Sequence, residues 1–384
     1  MTTSTLTKRI RSMIFLITTA AVGPFASGAE PAQPPAATPA TEQTSGQARQ
    51  PRLTILATGG TIAGQKQADN ASALSYESGK LSAKDLISAV PGLDKLATLN
   101  AEQIASVGSQ DMNDKIWFSL ARKIKSLADS NAADGIVITH GTDTLEETAF
   151  FLSCVLDPSI PVVLTGAMRP ASALSADGPA NLFEAVKVAA DARSKNRGVM
   201  VVLNDTVHSP IWVTKTDTTN VATFQSGYTG PMGYVDAADL HYTQASASQK
   251  PFTLPLPEGD ALPRVEIIYS HSNMDDQLIK SAVGNGARGI VLAGVGDGNT
   301  SATALKALEA ARKDGVVVVR ASRVQNGAVK RNVEVNDDQS GFVVSPGLNP
   351  AKARVLTQLL IANKITAPDK VQQAFDAATG NAQE

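Results

Sequence analysis

Short apolar runs rich in valine and isoleucine alternate with amphipathic helical patterns between residues 53 and 319. Runs of four to six such residues are typical of strands buried on both faces, as in parallel sheets. The predicted strands are Leu53–Ala57, Gly135–Ile138, Pro161–Leu164, Gly198–Leu203, Val265–Tyr269, Gly289–Leu292 and Val316–Val319. The predicted helices are Asp114–Ser130, Asp143–Leu156, Asn181–Ala192, Asp275–Val283 and Ser301–Lys313. Strands that alternate with helices in this way predict an α/β fold.

The predicted strands fall into two groups, separated by a strand-poor stretch that is rich in alanine, serine, glutamine and proline. Such a composition is typical of a connection between domains. We therefore predict a larger N-terminal α/β domain over 52–240, a linker over 241–262 and a smaller C-terminal α/β domain over 263–384.

The first 29 residues have the features of a signal peptide. Three basic residues precede the apolar stretch Met13–Val22, and Ser27-Gly28-Ala29 provides small residues at a cleavage site. The alternative is a retained membrane anchor, but the stretch is too short to span a bilayer. Residues 30–51 are rich in proline, alanine and glutamine, which predicts a disordered spacer. We expect a periplasmic protein without a stable membrane anchor.

Composition excludes several classes of function. The chain has 34 basic and 36 acidic residues, so nothing in its charge favours nucleic acid or an anionic membrane as partner. Its single cysteine, Cys154, lies in a predicted helix, where a buried and inert thiol is expected, and it cannot form an intrachain disulfide. The four histidines form no H-E-x-x-H pattern, so we expect no histidine-bound catalytic metal.

Threonine and glycine follow several predicted strands. The first strand leads into Thr58-Gly59-Gly60-Thr61-Ile62-Ala63-Gly64, and the second leads into Thr139-His140-Gly141-Thr142-Asp143. Ligands of open α/β sheets bind beyond the carboxyl ends of the strands, near the point where strand order reverses. These loops therefore predict one shared pocket.

The glycines do not fit the common phosphate-binding motifs. Gly59 and Gly64 have the spacing of a P-loop, but Gln65 occupies the position of the lysine. Gly294 and Gly296 match only the first two glycines of a dinucleotide fingerprint. No G-x-S-x-G serine motif occurs either. Threonine is the nucleophile that this elimination leaves.

Thr61 is the candidate nucleophile. The preceding Gly60 allows a tight turn and close approach of a substrate, and we expect the hydroxyl and free backbone N–H groups of this turn to face the pocket. A glycine-rich turn packed for topology alone is the alternative, and spacing does not decide between the two. A threonine hydroxyl needs a base, and the candidates are Lys215, Asp143 and Tyr76.

Lys215 and Asp143 also have a structural interpretation. Lys215 could be a solvated surface lysine, since lysine is mostly exposed. Thr142 or Asp143 could open the following helix, with Glu146 and Glu147 in its first turn. A helix N-terminus would also offer N–H groups to an oxyanion, so capping does not exclude catalysis.

Taken together, the motifs resemble those of the bacterial type II L-asparaginases, including the glutaminase-asparaginases. The matching segments, in chain order, are Ala57–Gly64, Gly108–Asp114, Thr139–Thr144, Gly166–Pro170, Ser175–Pro179, Asn204–Thr206, Val213–Thr216 and Leu348–Pro350. The resemblance covers roughly residues 52–375. It implies a larger flavodoxin-like domain plus a smaller α/β domain, assembled as a homotetramer of close dimers.

The resemblance also implies an activity, the hydrolysis of L-asparagine to L-aspartate and ammonia without a metal or organic cofactor. Thr61 is similar to the family's nucleophile, with Tyr76 on a mobile flap helping to activate it. Thr142, Asp143 and Lys215 are similar to the family's second hydroxyl–carboxylate–amine set, which supports proton transfer.

The expected substrate-binding residues also follow from the resemblance. They are Gly60, Ser109, Gln110, Thr142, Asp143, Asn273 and Glu334. The last two are expected to come from a neighbouring subunit. A carboxylate can pair with the substrate's ammonium group, while hydroxyl and backbone donors receive its α-carboxylate.

Two alternatives stay open at this point. A glutaminase-asparaginase would act comparably on L-glutamine, because one methylene in a pocket changes the free energy of binding by only about 1–3 kcal/mol. An exported amino-acid binding protein would bind asparagine without releasing ammonia. Binding alone needs no activated hydroxyl, so the two threonine loops favour an enzyme.

Overall fold

The computed structural model describes residues 49–66, 76, 77, 79–244 and 252–380. The predicted signal peptide over 1–29 and nearly all of the predicted spacer lie outside these residues, as does part of the predicted linker. Among the described residues, no helix combines the length and apolar character needed to cross a membrane.

Strands and helices alternate along most of the described chain. The strands are β1 (Arg52–Gly59), β2 (Gln65–Lys66), β3 (Tyr76–Glu77), β4 (Thr98–Val107), β5 (Gly135–Thr139), β6 (Val162–Thr165), β7 (Val199–Leu203), β8 (Thr206–His208), β9 (Thr214–Lys215), β10 (Phe224–Gln225), β11 (Gly233–Val235), β12 (Leu240–Tyr242), β13 (Val265–Tyr269), β14 (Gly289–Gly294), β15 (Val317–Ser322) and β16 (Val343–Val344). The helices are α1 (Ala83–Ser88), α2 (Leu93–Leu96), α3 (Asp114–Asp129), α4 (Leu145–Val155), α5 (Gly178–Ala190), α6 (Gln277–Gly284), α7 (Ala302–Lys313), α8 (Asp337–Ser340), α9 (Pro350–Ala362) and α10 (Pro368–Ala378). Every predicted strand and helix is present, with its ends within three residues of the prediction.

The larger domain is built on a sheet with the strand order β12-β11-β8-β7-β6-β5-β1-β4. The five strands from β7 to β4 are parallel, and β8, β11 and β12 extend the sheet in antiparallel fashion. In chain order the parallel strands are arranged 2-1-3-4-5, the flavodoxin-like order. The chain first adds β4 on one side of β1 and then β5 on the other, so strand order reverses between β1 and β5 and a crevice forms there.

Both faces of this sheet are covered, which explains the apolar runs in its central strands. Leu56 packs on one face with residues of α3 and α4, whereas Leu53 and Ile55 pack on the other face with residues of α1 and α5. The edge strand β4 was not predicted because most of its side chains are exposed or half-buried, so its sequence contains no apolar run.

The smaller domain contains the parallel sheet β13-β14-β15-β16. Side chains of α6 and α7 cover one face. Helix α9 lies against the other face and also packs against α4 of the larger domain. The prediction of a large domain followed by a smaller α/β domain is therefore confirmed. The exact domain boundaries stay a prediction, and β12 ends at Tyr242, inside the predicted linker.

Candidate active site

The turn after β1 requires two glycines. Gly59 and Gly60 have φ values of 108° and 81°, which favour glycine. A Cβ atom on Gly60 would lie 2.3 Å from the backbone nitrogen of Gly141, so the loops after β1 and β5 touch through their backbones. Thr61 follows directly, in a 3₁₀ turn over Thr61–Ala63, and only 7% of it is exposed.

The expectation of free backbone N–H groups in this turn is wrong at Gly60. The backbone N–H of Gly60 is not free, because it donates a hydrogen bond of 2.9 Å to the carbonyl of Val107. This bond extends the contact between β1 and β4 past the irregularity in their pairing at Ala57–Gly59. A part for Gly60 in binding substrate stays a prediction.

The loop after β4 joins the other two through Ser109. Its hydroxyl accepts a hydrogen bond of 3.1 Å from the backbone N–H of Asp143, and its carbonyl accepts one of 2.7 Å from the Thr144 hydroxyl. A Cβ atom on Gly141 would lie 2.7 Å from the Ser109 hydroxyl oxygen. The loops that follow β1, β4 and β5 therefore meet at the crevice where strand order reverses.

Lys215 reaches this crevice from β9. Its Nζ donates to the hydroxyl of Thr142 at 2.9 Å and to the carboxylate of Asp143 at 2.7 Å. The Lys215 side chain is 17% exposed and Thr142 is buried, whereas the Asp143 side chain is 62% exposed. Lys215 is thus not a solvated surface lysine. The structure brings a hydroxyl, an amine and a carboxylate together.

The alternative interpretation, in which Thr142 or Asp143 opens the following helix, is wrong. Helix α4 begins at Leu145 and its N-cap is Thr144, whose hydroxyl donates to Ser109 instead of capping an N–H group. The side chains of Thr142 and Asp143 are engaged with Lys215. Glu146 and Glu147 do lie in the first turn, as predicted.

A buried histidine supports the same loop, and the sequence analysis missed it. His140 Nδ1 lies 2.7 Å from the carbonyl of Gly141, which can only accept, so this nitrogen carries the proton. Its Nε2 then accepts from the Thr148 hydroxyl, which accepts in turn from the Trp117 indole N–H, each at 2.8 Å. Burial lowers the pKa of His140 to about 4, so the imidazole is neutral. The available signal was the histidine inside the run Thr139-His140-Gly141-Thr142, directly after a predicted buried strand.

Two other predicted site residues lie near these loops. Gln110 is exposed, and its side-chain amide folds over Gly108, where a Cβ atom would lie 2.4 Å from Nε2. Tyr76 lies in β3, which pairs with β2 directly after the Thr61 turn, with Tyr76 opposite Lys66. The side chain of Tyr76 lies outside the described part of the chain.

Asn273 and Glu334 lie elsewhere, on the smaller domain. Asn273 is exposed and has a φ of 61° in the loop after β13. Glu334 is exposed and accepts a hydrogen bond from the side-chain amide of Asn299. The structure does not place either residue among the threonine loops described above.

Two further observations concern ligands. A cavity of about 800 Å³ adjoins β9, and Thr214, Thr216 and residues 325–328 contribute to its lining. In the described part of the chain, histidine, cysteine, aspartate and glutamate side chains form no group of three that could hold a metal ion.

The fold and site define a two-domain α/β protein with paired threonine loops at a sheet switch point, and comparisons with known proteins identify its family. Residues 52–248 match the family model "Asparaginase, N-terminal", and residues 264–375 match "Glutaminase/Asparaginase C-terminal domain". The chain therefore belongs to the asparaginase family, and the resemblance seen in the motifs is confirmed.

Individual relatives cover most of the chain. It is 47% identical to L-asparaginase 2 of Escherichia coli (strain K12) and 48% identical to a probable periplasmic L-asparaginase of Haemophilus influenzae, each over 85% of this chain and 93% of the relative. It is 38% identical to the glutaminase-asparaginase of Pseudomonas fluorescens biotype A, over 84% of this chain and 89% of the relative.

Proposed function

We propose that the chain is an L-asparagine amidohydrolase that releases L-aspartate and ammonia. The observation that carries the proposal is the contact of Lys215 Nζ with both Thr142 and Asp143. The loop that carries Thr142 and Asp143 packs its backbone against the turn that holds Thr61. A poor nucleophile, a second hydroxyl and an amine within hydrogen-bond distance of that hydroxyl are the components that amide hydrolysis by threonine needs.

In the proposed reaction, the Thr61 hydroxyl oxygen attacks the side-chain amide carbon of asparagine. The carbon–nitrogen bond then breaks, and the nitrogen takes a proton and leaves as ammonia. Water hydrolyses the resulting ester, which yields aspartate and restores the hydroxyl. Lys215, Thr142 and Asp143 move the protons, and Tyr76 helps to activate Thr61.

We also propose how the substrate is held. Asp143 pairs with the substrate's ammonium group, since half or more of its side chain is accessible, while Ser109, Gln110 and Gly60 surround its α-carboxylate. Asn273 and Glu334 are proposed to complete the site of a neighbouring subunit, in a homotetramer built from close dimers. A solution mass of four chains is the expected result of sedimentation or light scattering, and a monomeric mass would contradict this part.

The nucleophile is tested by Thr61→Ala and Thr61→Ser. Without the hydroxyl, kcat for ammonia release should fall by roughly 10⁴-fold or more, whereas serine should keep part of the activity. The urea unfolding midpoint serves as the control, because both variants should unfold near the unsubstituted protein. Turnover by Thr61→Ala at the original rate would exclude Thr61 as the nucleophile.

The amine is tested by Lys215→Met, which keeps the length of the side chain but removes the proton carrier. We expect a loss in kcat of about 10²–10⁴-fold, with binding of asparagine largely retained. An amino-acid binding protein would instead bind asparagine tightly with no ammonia release by the unsubstituted chain.

Comparable activity on L-glutamine is the second candidate function, favoured by the similarity to proteins named glutaminase-asparaginase. Steady-state kcat/KM values on both amides decide between the two, and a preference for glutamine would contradict our choice of substrate. We further propose export to the periplasm after removal of residues 1–29. N-terminal sequencing of the mature protein tests the cleavage site.

A further inference from the structure

The first turn of α9 connects the smaller domain to the segment that carries Lys215. The N-cap residue Asn349 uses its side-chain oxygen to accept from the backbone N–H of Lys352 at 3.0 Å. Its side-chain amide nitrogen then donates in two directions, to Glu146 at 3.0 Å and to the Thr214 hydroxyl at 3.1 Å. One asparagine therefore joins α9, α4 and β9.

Lys352 makes the same connection through a buried charge. It is 1% exposed, although lysine is almost never fully buried unless it is paired. Its Nζ donates to the carbonyl of Ile211 at 3.0 Å and to the carbonyl of Val213, and it lies 3.6 Å from the Glu146 carboxylate. Both carbonyls belong to the segment that leads directly into Lys215.

The groups around Lys352 come from three elements. Glu146 and Glu147 of α4 favour its charged form, while burial lowers its pKa to about 8. Burial raises the pKa of Glu147, and the charge of Arg354, also on α9, partly offsets that rise. His208 of β8 is buried and its pKa falls to about 4, partly because of the Lys352 charge. At neutral pH the cluster therefore holds a lysine cation and a neutral imidazole.

The groups around Lys352 contact the segments that carry both partners of the Lys215–Thr142 hydrogen bond. Lys215 sits on β9, a strand of two residues, which gives it little support of its own. Thr142 and Asp143 immediately precede α4, and Glu146 lies in the first turn of that helix. A misplacement of about 1 Å in such a group can cost about 100-fold in rate.

We propose that Asn349, Lys352 and Glu146 are positioning residues that set where Lys215 Nζ meets Thr142. The inference rests on the proposed function, because it gives Lys215 a part in the chemistry. The smaller domain then acts on the reaction through α9, in addition to any residue it supplies to a neighbouring site.

The first test is Lys352→Met, compared with Gln358→Met as a matched control. Gln358 is also a long, buried polar side chain on α9, but it donates to the carbonyl of Pro263 and not to the Lys215 segment. We expect kcat to fall about 10- to 100-fold in Lys352→Met, with KM changed less than about threefold. Gln358→Met should stay near the unsubstituted rate. An equal loss in both variants would assign the effect to α9 as a whole and overturn the proposal.

Asn349→Asp is a second test that does not depend on whether Lys352→Met folds. Aspartate retains the oxygen that caps α9, but it replaces the donor to Glu146 and Thr214 with an acceptor. We expect the same selective loss of kcat. In both variants the pH profile of kcat should shift, because a displaced Lys215 meets different neighbours. A loss of stability alone would leave that profile unchanged.

Lys215→Met, measured in parallel, separates this inference from the proposed function. If Lys215→Met keeps its turnover, the proposed role of the lysine is wrong, and the positioning role fails with it. If Lys215→Met is impaired while Lys352→Met and Asn349→Asp retain both kcat and the pH profile, only the positioning role fails.

Discussion

Replacing Gly60 with alanine should damage both the stability and the activity of this protein, and Gly315→Ala separates the two causes. Both glycines have positive φ values, 81° at Gly60 and 87° at Gly315. A Cβ atom at Gly315 would meet nothing within 4 Å, whereas one at Gly60 would lie 2.3 Å from the nitrogen and 2.4 Å from the Cα of Gly141.

Two costs set the expected losses of stability, the cost of the backbone conformation and the cost of the steric contact. The left-handed backbone costs an L-residue about 1–2 kcal/mol, and both variants bear this cost. Only Gly60→Ala forces backbone against backbone, for which we add about 1–3 kcal/mol as in overpacked cores. The contact must open by about 1 Å to reach ordinary van der Waals distance, and this moves the turn that holds Thr61. A shift of that size predicts a loss of about 100-fold in kcat/KM.

Urea unfolding and ammonia release measure the two effects. Gly315→Ala should lose about 1–2 kcal/mol in the free energy of unfolding and keep its activity at a temperature where it is folded. Gly60→Ala should lose more stability and most of its activity. Equal unfolding free energies in the two variants, together with full activity in Gly60→Ala, would refute the argument that these loops touch through their glycines.

Three further predictions concern buried groups. The pKa values of His140 and His208 are lowered to about 4, so the stability that each neutral imidazole contributes, up to about 3 kcal/mol, is complete above pH 6.5 and lost as the pH falls toward 4. NMR should find both rings neutral at pH 5, and titration near pH 6.5 would contradict this. Burial raises the pKa of Cys154 to about 12, so the thiol should react with a thiol reagent only after unfolding; rapid reaction in the native protein would show that it is accessible. Asp337→Ala should cost about 3–5 kcal/mol in urea unfolding, because it strands the buried guanidinium of Arg320; a loss below about 1 kcal/mol would contradict this.

The sequence predicted those strands and helices whose apolar residues form a recognisable pattern. The strands β5, β6 and β7 are buried throughout, so each appears in the sequence as a continuous apolar run. The edge strand β4 has no such run, because much of its surface faces solvent. Helices α9 and α10 were also not assigned from the sequence. The start of α4 was misplaced because Thr142 and Asp143 have cap-forming side chains whose partner proved to be Lys215.

The sequence by itself determined the α/β class, the loops that carry Thr61 and Thr142, and the resemblance to the asparaginase family. These depend on local patterns and short motifs, which remain readable without the fold. The resemblance implied that Lys215 and Thr142 act together, but only the tertiary structure shows the hydrogen bond that joins them across 73 residues. Only the tertiary structure decided that Lys352 is buried against a carbonyl 139 residues away. Such contacts depend on strand order and on how α9 packs between two domains, and neither is encoded in the spacing of residues along the chain.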